Sequence, residues 1–118
     1  MYIMRIYKRQ YMEFDCLDVE ALTGFDWDDG NVYKNEKKHG LNYKLIEEIF
    51  FNEPLLIVED FQHSDDECRC VAFGRDNKNN KVMVIFTVRN NLIRVISARE
   101  MTKKEKNFYE NNKNNPYL

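Results

Sequence analysis

The sequence lacks most features that announce a chemistry. No apolar run approaches the roughly 18 residues that a membrane-spanning helix needs. The segment from Met1 to Gln10 carries Arg5, Lys8 and Arg9 without a continuous apolar stretch, so it does not read as a secretory signal and points to the cytoplasm. Cysteine is scarce and odd in number, with Cys16, Cys68 and Cys70. An odd count makes a poor disulfide framework, so reduced, packed thiols are expected. Cys68 and Cys70 would share a strand face, and with His39 and His63 they leave a zinc protein as one alternative, but the usual ligand spacing is missing. There is no Ser-His-Asp arrangement and no glycine-rich phosphate loop. No metal or cofactor is therefore expected. Internal repeats and interdomain linkers are also absent.

What is present describes one small globular domain. The chain has 118 residues, within the range of a single domain. Its 43% apolar and 14% aromatic content is too high for a disordered chain. A net charge of −2 does not advertise a nucleic-acid binder, yet the charge is unevenly spread. Residues 45–70 hold eight acids against Arg69 alone. Residues 89–106 hold six bases against Glu100 and Glu105, and residues 34–44 hold four lysines against Glu36. A basic cleft for RNA beside an acidic face fits this pattern, as does ordinary solvated charge.

Local signals give the order of elements. Met1 to Tyr7 alternates loosely, as an edge strand does, and Leu17 to Leu22 suits a helical turn. Asp28 reads as the N-cap of a helix running to about Lys38, with Gly40 at its C-terminus and Lys37 and Lys38 at the negative end of its dipole. Asn42 then caps a second helix whose stripe is Leu45, Ile46, Ile49 and Phe50, closed by Asn52-Glu53-Pro54. Leu55 to Val58, Cys68 to Gly74, Lys81 to Arg89 and Leu92 to Arg99 read as strands. Asp76 to Asn80 turns between two of them, and Asn90-Asn91 makes a tight hairpin, since Asn tolerates positive φ. Thr102 and Glu105 stand in capping-box relation at the start of a last helix. The expected fold is α+β: an antiparallel meander of about four strands with two N-terminal helices and one C-terminal helix. Residues 1–24 read as an extension, 25–110 as the domain and 111–118 as a flexible tail.

Arginines within apolar strands are the most informative residues. Arg94 is read on one face with Leu92, Ile96 and Ala98, and Arg69 with Val71 and Phe73. An arginine in apolar surroundings needs a carboxylate or a phosphate to offset its desolvation, so each is either half of a structural ion pair, with Glu67 or an acid of the second helix as the candidate partner, or part of an anion site. Arg99, at a strand end, is freer to enter a cleft; Arg89 borders the hairpin turn and reads as solvated. His39 and His63 suit proton transfer near neutral pH, but His39 also closes a helix and His63 lies in a polar loop beside Glu67. Trp27 reads as an apolar anchor. Such a set can stabilise a phosphorane-like transition state, with the RNA 2′-OH as nucleophile. It can equally form a protein-binding surface, and the residues alone do not decide.

The spaced motifs resemble the BrnT family of type II toxins. They are Phe25-Asp26-Trp27-Asp28, Asn31, Asn35, Lys38-His39-Gly40, Ile49 to Pro54, His63-Ser64, Glu67, Arg69 and Gly74, followed by Phe86-Thr87-Val88-Arg89, Ile93 to Arg99, Thr102, Glu105 and Tyr109. The resemblance covers about residues 25–110. It implies a RelE-like fold and a metal-independent endoribonuclease that arrests translation. It also implies neutralisation by a BrnA-like ribbon-helix-helix antitoxin, through which alone the protein reaches operator DNA. On this resemblance Arg69, Arg94 and Arg99 become phosphate or transition-state contacts, and His39, His63 and Glu67 proton-transfer candidates. Lys38, Tyr109 and Arg89 become RNA contacts. The alternative is a catalytically weak relative that acts as a binding module in an antitoxin–DNA complex.

Overall fold

The computed structural model describes residues 2–7, 21–60, 67 and 69–113, with backbone alone for 2–7 and 60. In chain order the elements are β1 (Tyr2–Tyr7), β2 (Gly24–Phe25), α1 (Lys34–His39), α2 (Tyr43–Ile49), β3 (Leu55–Asp60), β4 (Arg69–Arg75), β5 (Lys81–Arg89), β6 (Leu92–Glu100) and α3 (Lys103–Asn112). They form one six-stranded sheet in the order β1-β3-β4-β5-β6-β2. The expected α+β meander is its centre, β3 to β6, all antiparallel. Two strands extend it: β1 pairs antiparallel with β3, and the short β2 runs parallel to β6.

β5 reads as a nearly continuous apolar run because both faces of the sheet are covered. On one face α1 and α2 bring Leu41, Ile46 and Ile49 against Ile57, Ala72, Val84, Phe86, Val95 and Ala98. Gly74 lets the end of α2 approach β4, since a Cβ there would lie 3.2 Å from the Ile49 carbonyl oxygen. On the other face α3 places Tyr109 and Phe108, with Met101, over Leu56, Val58, Val71 and Met83. α3 covers only part of that face.

The turns follow local chemistry. Asn90 and Asn91 have φ of 54° and 64°, the left-handed pair a tight hairpin requires. The buried Asp76 carboxylate accepts from the Lys78 and Asn80 backbone and organises the β4–β5 turn. Asn42 caps α2 by accepting from the Lys44 amide, Gly40 closes α1 at φ 70°, and Thr102 with Glu105 completes the capping box of α3.

Two local expectations give way. α1 does not begin at Asp28: its N-cap is Tyr33, with no side-chain cap, and residues 29–33 are turn. The Asp28 carboxylate instead accepts from the Gly30 amide, while the Asn31 side-chain oxygen accepts from the Asp28 amide. That turn leads the chain along the outer edge of β6. There Asn31 donates to the Val95 carbonyl, Lys34 donates to the Ile96 carbonyl, and Asn35 accepts from the Ala98 amide. Side chains thus satisfy strand groups that β2 is too short to reach. The second departure is a β-bulge. Ile85 opposes Ser97, whereas the next residue, Phe86, opposes Val95, so Ile96 is extra. Arg94 therefore does not share a face with Ala98.

Candidate active site

Strand alternation sends Arg69, Val71 and Phe73 of β4 and Met83, Ile85, Thr87 and Arg89 of β5 to the α3 side of the sheet. Arg69 opposes Thr87, and Thr87 opposes Arg94. Those three form one row across three neighbouring strands. Arg94 and Arg99 are five residues apart, a spacing that in a regular strand would put them on opposite faces. The bulge at Ile96 returns Arg99, opposite Met83, to the face of Arg94. Counted along β5, the two arginines are four residues apart, or about 13 Å at roughly 3.3 Å per residue.

Each arginine with a resolved ion pair in this region is oriented by a carboxylate. Arg94, 20% exposed, reaches Asp28 Oδ2 at 2.8 Å and Asp26 Oδ2 at 3.6 Å, and those carboxylates are 52% and 36% exposed. The hydrogen bond from Arg94 holds the Asp28 carboxyl below its ordinary value. Arg89 grips Glu67 with two nitrogens, at 2.8 and 2.9 Å, and the Thr87 hydroxyl donates to the same carboxylate at 3.4 Å. Arg89 is the main cause of the lowered Glu67 pKa, with a smaller contribution from the charge of Arg94. Arg99 forms a two-point pair with Glu105, at 2.6 and 3.0 Å. Burial pushes the Glu105 carboxyl up, but Arg99 and the Thr102 amide outweigh it and leave the group below its ordinary value. Arg69 is half-buried at the start of β4, in the row with Thr87 and Arg94.

Beside this row the sheet forms the wall of a cavity of about 550 Å³ that extends to α3. Val58, Val71, Ile85 and Met83 supply an apolar floor, Phe73 and Phe108 aromatic surface, and Arg99, Lys104 and Glu105 a charged rim. Ile85 and Thr87 are same-face neighbours on β5, as Val71 and Arg69 are on β4. The arginine row therefore adjoins the cavity floor on the same face of the sheet.

The structure does not gather all the residues singled out from the sequence. Arg69, Arg94, Arg99, Arg89 and Glu67 share one side of the sheet. Lys38 and His39 are exposed at the end of α1, and neither bonds or ion-pairs with a described residue of the arginine row. Tyr109 is only 1% exposed, and its hydroxyl donates to the Pro54 carbonyl at 2.6 Å. Burial pushes that hydroxyl up to about 12. Tyr109 pins α3 to the start of β3, where a surface contact was expected. His63 lies outside the described residues. Asp26, Asp28, Thr87 and Lys104 were not anticipated at the site. The need of Arg94 for a carboxylate was a signal, but Asp28 looked like a helix cap. Among the described residues no group of three or more His, Cys, Asp or Glu is placed to share a metal ion.

A family model described as the ribonuclease toxin, BrnT, of type II toxin–antitoxin systems matches residues 27–105. The chain belongs to the BrnT family. No curated protein matches it. The matched segment contains Asp28, Glu67, Arg69, Thr87, Arg89, Arg94, Arg99 and Glu105, and it ends within α3. As a BrnT ribonuclease toxin of a type II system, the protein has an antitoxin as its partner.

Proposed function

We propose that the arginine face is a metal-independent endoribonuclease site whose action on cytoplasmic RNA arrests translation. The observation that carries this reading is the bulge in β6. It adds Arg99, at the rim of the cleft, to the sheet face that carries Arg69 and Arg94. Arg69 and Arg94 hold the scissile phosphate and stabilise the charge that gathers on its oxygens. The RNA 2′-OH attacks phosphorus; the O2′–P bond forms as the P–O5′ bond breaks, giving a 2′,3′-cyclic phosphate and a free 5′-hydroxyl. Glu67, kept ionised and oriented by Arg89, accepts the 2′-OH proton. His63 and His39 are the imidazole candidates for returning a proton to the leaving oxygen, and Lys38 is an accessory RNA contact. Residues 25–110 form the toxin domain, with 1–24 and 111–118 flanking it. The antitoxin is of the ribbon-helix-helix type and carries the pair to operator DNA.

The test is induced expression in a bacterial host of wild type beside Arg94→Ala and Arg99→Ala, scoring growth and RNA integrity. Growth arrest with RNA loss is expected for wild type, and relief for both variants while they remain folded. A second reading, a binding module that works through the antitoxin, draws on the pairing of Arg94 and Arg99 with carboxylates. Soluble wild-type protein that leaves growth and RNA intact selects it.

A further inference from the structure

The cavity between the arginine row and α3 is more than a gap in the packing. Its volume of about 550 Å³ falls within the roughly 300–1,000 Å³ of small-ligand sites. Its lining combines three kinds of surface. Val58, Val71, Met83 and Ile85 form a flat apolar floor because they are same-face positions on adjacent strands. Phe73 and Phe108, with ring centroids 5.4 Å apart and only partly buried, form an aromatic wall. Arg99 and Lys104 add positive charge at the rim, and Glu105 fixes the Arg99 guanidinium there through two hydrogen bonds. An apolar and aromatic floor beside cations is how proteins hold an unstacked base while engaging its backbone. Charge decides the occupant: the rim cations Arg99 and Lys104 outnumber Glu105, and the same sheet face carries Arg69 and Arg94 beyond Thr87. The segment bound must carry flat apolar groups on an anionic backbone.

We infer that this cleft is a nucleobase subsite. One unpaired base of the RNA substrate lies on the Val71–Ile85 floor against the tilted Phe73 and Phe108 rings, while its flanking phosphates lie on Arg99 and Lys104 and on the Arg94 row. This assignment rests on the RNA-cleaving reading above and adds where the chain takes hold of a base. It makes the cleft, and not the arginines, the seat of any base preference, since arginines on phosphates carry no sequence information.

The full-length protein is titrated with two labelled oligonucleotides made with 2′-O-methyl riboses, which lack the nucleophile. One carries bases throughout, and the other has the same backbone with abasic sites. The base-bearing strand is expected to bind about tenfold tighter, as stacking of one base predicts. Ile85→Trp, which fills the cleft, brings the two within about twofold. Methyl spectra of wild type report the same event without relying on the folding of a variant: Val58, Val71 and Ile85 shift with the base-bearing strand and not with the abasic one. Equal affinities, or unmoved methyls, overturn the subsite even if wild type still arrests growth and degrades RNA. Base-dependent binding in a protein that does neither keeps the subsite and overturns the nuclease reading. Methyls that shift with the antitoxin but not with RNA assign the cleft to the partner and overturn the inference.

Discussion

Arg94 faces two carboxylates that are more open to solvent than it is, Asp28 at 52% and Asp26 at 36% exposure. Ion pairs that open are worth only about 0–1 kcal/mol, because water and salt screen them. Asp28 therefore does little for stability and much for where Arg94 points. A phosphate arriving at the row competes with these carboxylates for the same guanidinium. Asp28→Asn keeps the oxygen that accepts from the Gly30 amide but removes the competing charge. It is expected to tighten RNA binding about two- to fivefold, the equivalent of roughly 1 kcal/mol or less, and to leave the melting temperature nearly unchanged. Fluorescence anisotropy with a labelled single-stranded RNA measures this. Weaker binding by Asp28→Asn would show that Asp28 aims Arg94 at the phosphate and does not compete with it. Glu105 stands in a different position: it closes the capping box and grips Arg99 with the same carboxylate, so its removal damages helix and site together.

Among the elements, the hairpin between β5 and β6 sets the register on which the arginine row depends. Both turn residues are left-handed, a conformation that costs a residue with a branched Cβ about 1–2 kcal/mol. Asn91→Ile is expected to lower unfolding free energy by about that amount, and Asn91→Gly to leave it nearly unchanged; urea denaturation separates the two. Equal stability of Asn91→Ile and wild type would mean that the turn does not hold the register. This turn was legible in the sequence because its chemistry is local, as was that of Asn42, Gly40 and the Thr102–Glu105 box. The start of α1 was not. Asp28 has the residue type of an N-cap, but its carboxylate is engaged by Gly30 and by Arg94, and the latter is remote in sequence. The bulge was equally hidden, since nothing in Leu92 to Glu100 marks Ile96 as the extra residue until β5 is laid beside it. The arginines were visible as polar interruptions of apolar strands, but their common face was not, because one inserted residue decides it. Tyr109 shows the converse. The family motif implied an accessory RNA contact there, and the structure shows a buried side chain whose hydroxyl donates to the Pro54 carbonyl.

At the scale of the whole molecule, a net charge of −2 sits poorly with a general affinity for polyanions; some acids lie away from the arginine face, while Asp26, Asp28, Glu67 and Glu105 stand on it. α2, with Glu47 and Glu48, packs on the sheet face opposite the arginine row. Glu47 accepts from the Trp27 indole and Glu48 from the Asn77 amide, so both carboxylates face local donors on that side. α3, with Lys103, Lys104 and Lys106 in its first turns, lies on the arginine side. RNA affinity should then come from few phosphate contacts, and salt counts them. For a single strand, log K falls against log salt with a slope of about −0.7 per phosphate neutralised. The scissile phosphate on Arg69 and Arg94, with its neighbours on Arg99 and on Lys104, predicts a slope of about −2, and Arg99→Ala is expected to bring it to about −1.4. Lys38→Ala, on the exposed end of α1, changes the slope only if RNA continues around the edge of β6. A wild-type slope near zero would mean that the arginines stay with their carboxylates when RNA is present, and the face would then be structural. A steep slope that Arg99→Ala leaves unmoved would place the RNA on the lysines of α3 alone. Only a slope that falls by one phosphate when Arg99 is removed fits a strand lying along the row.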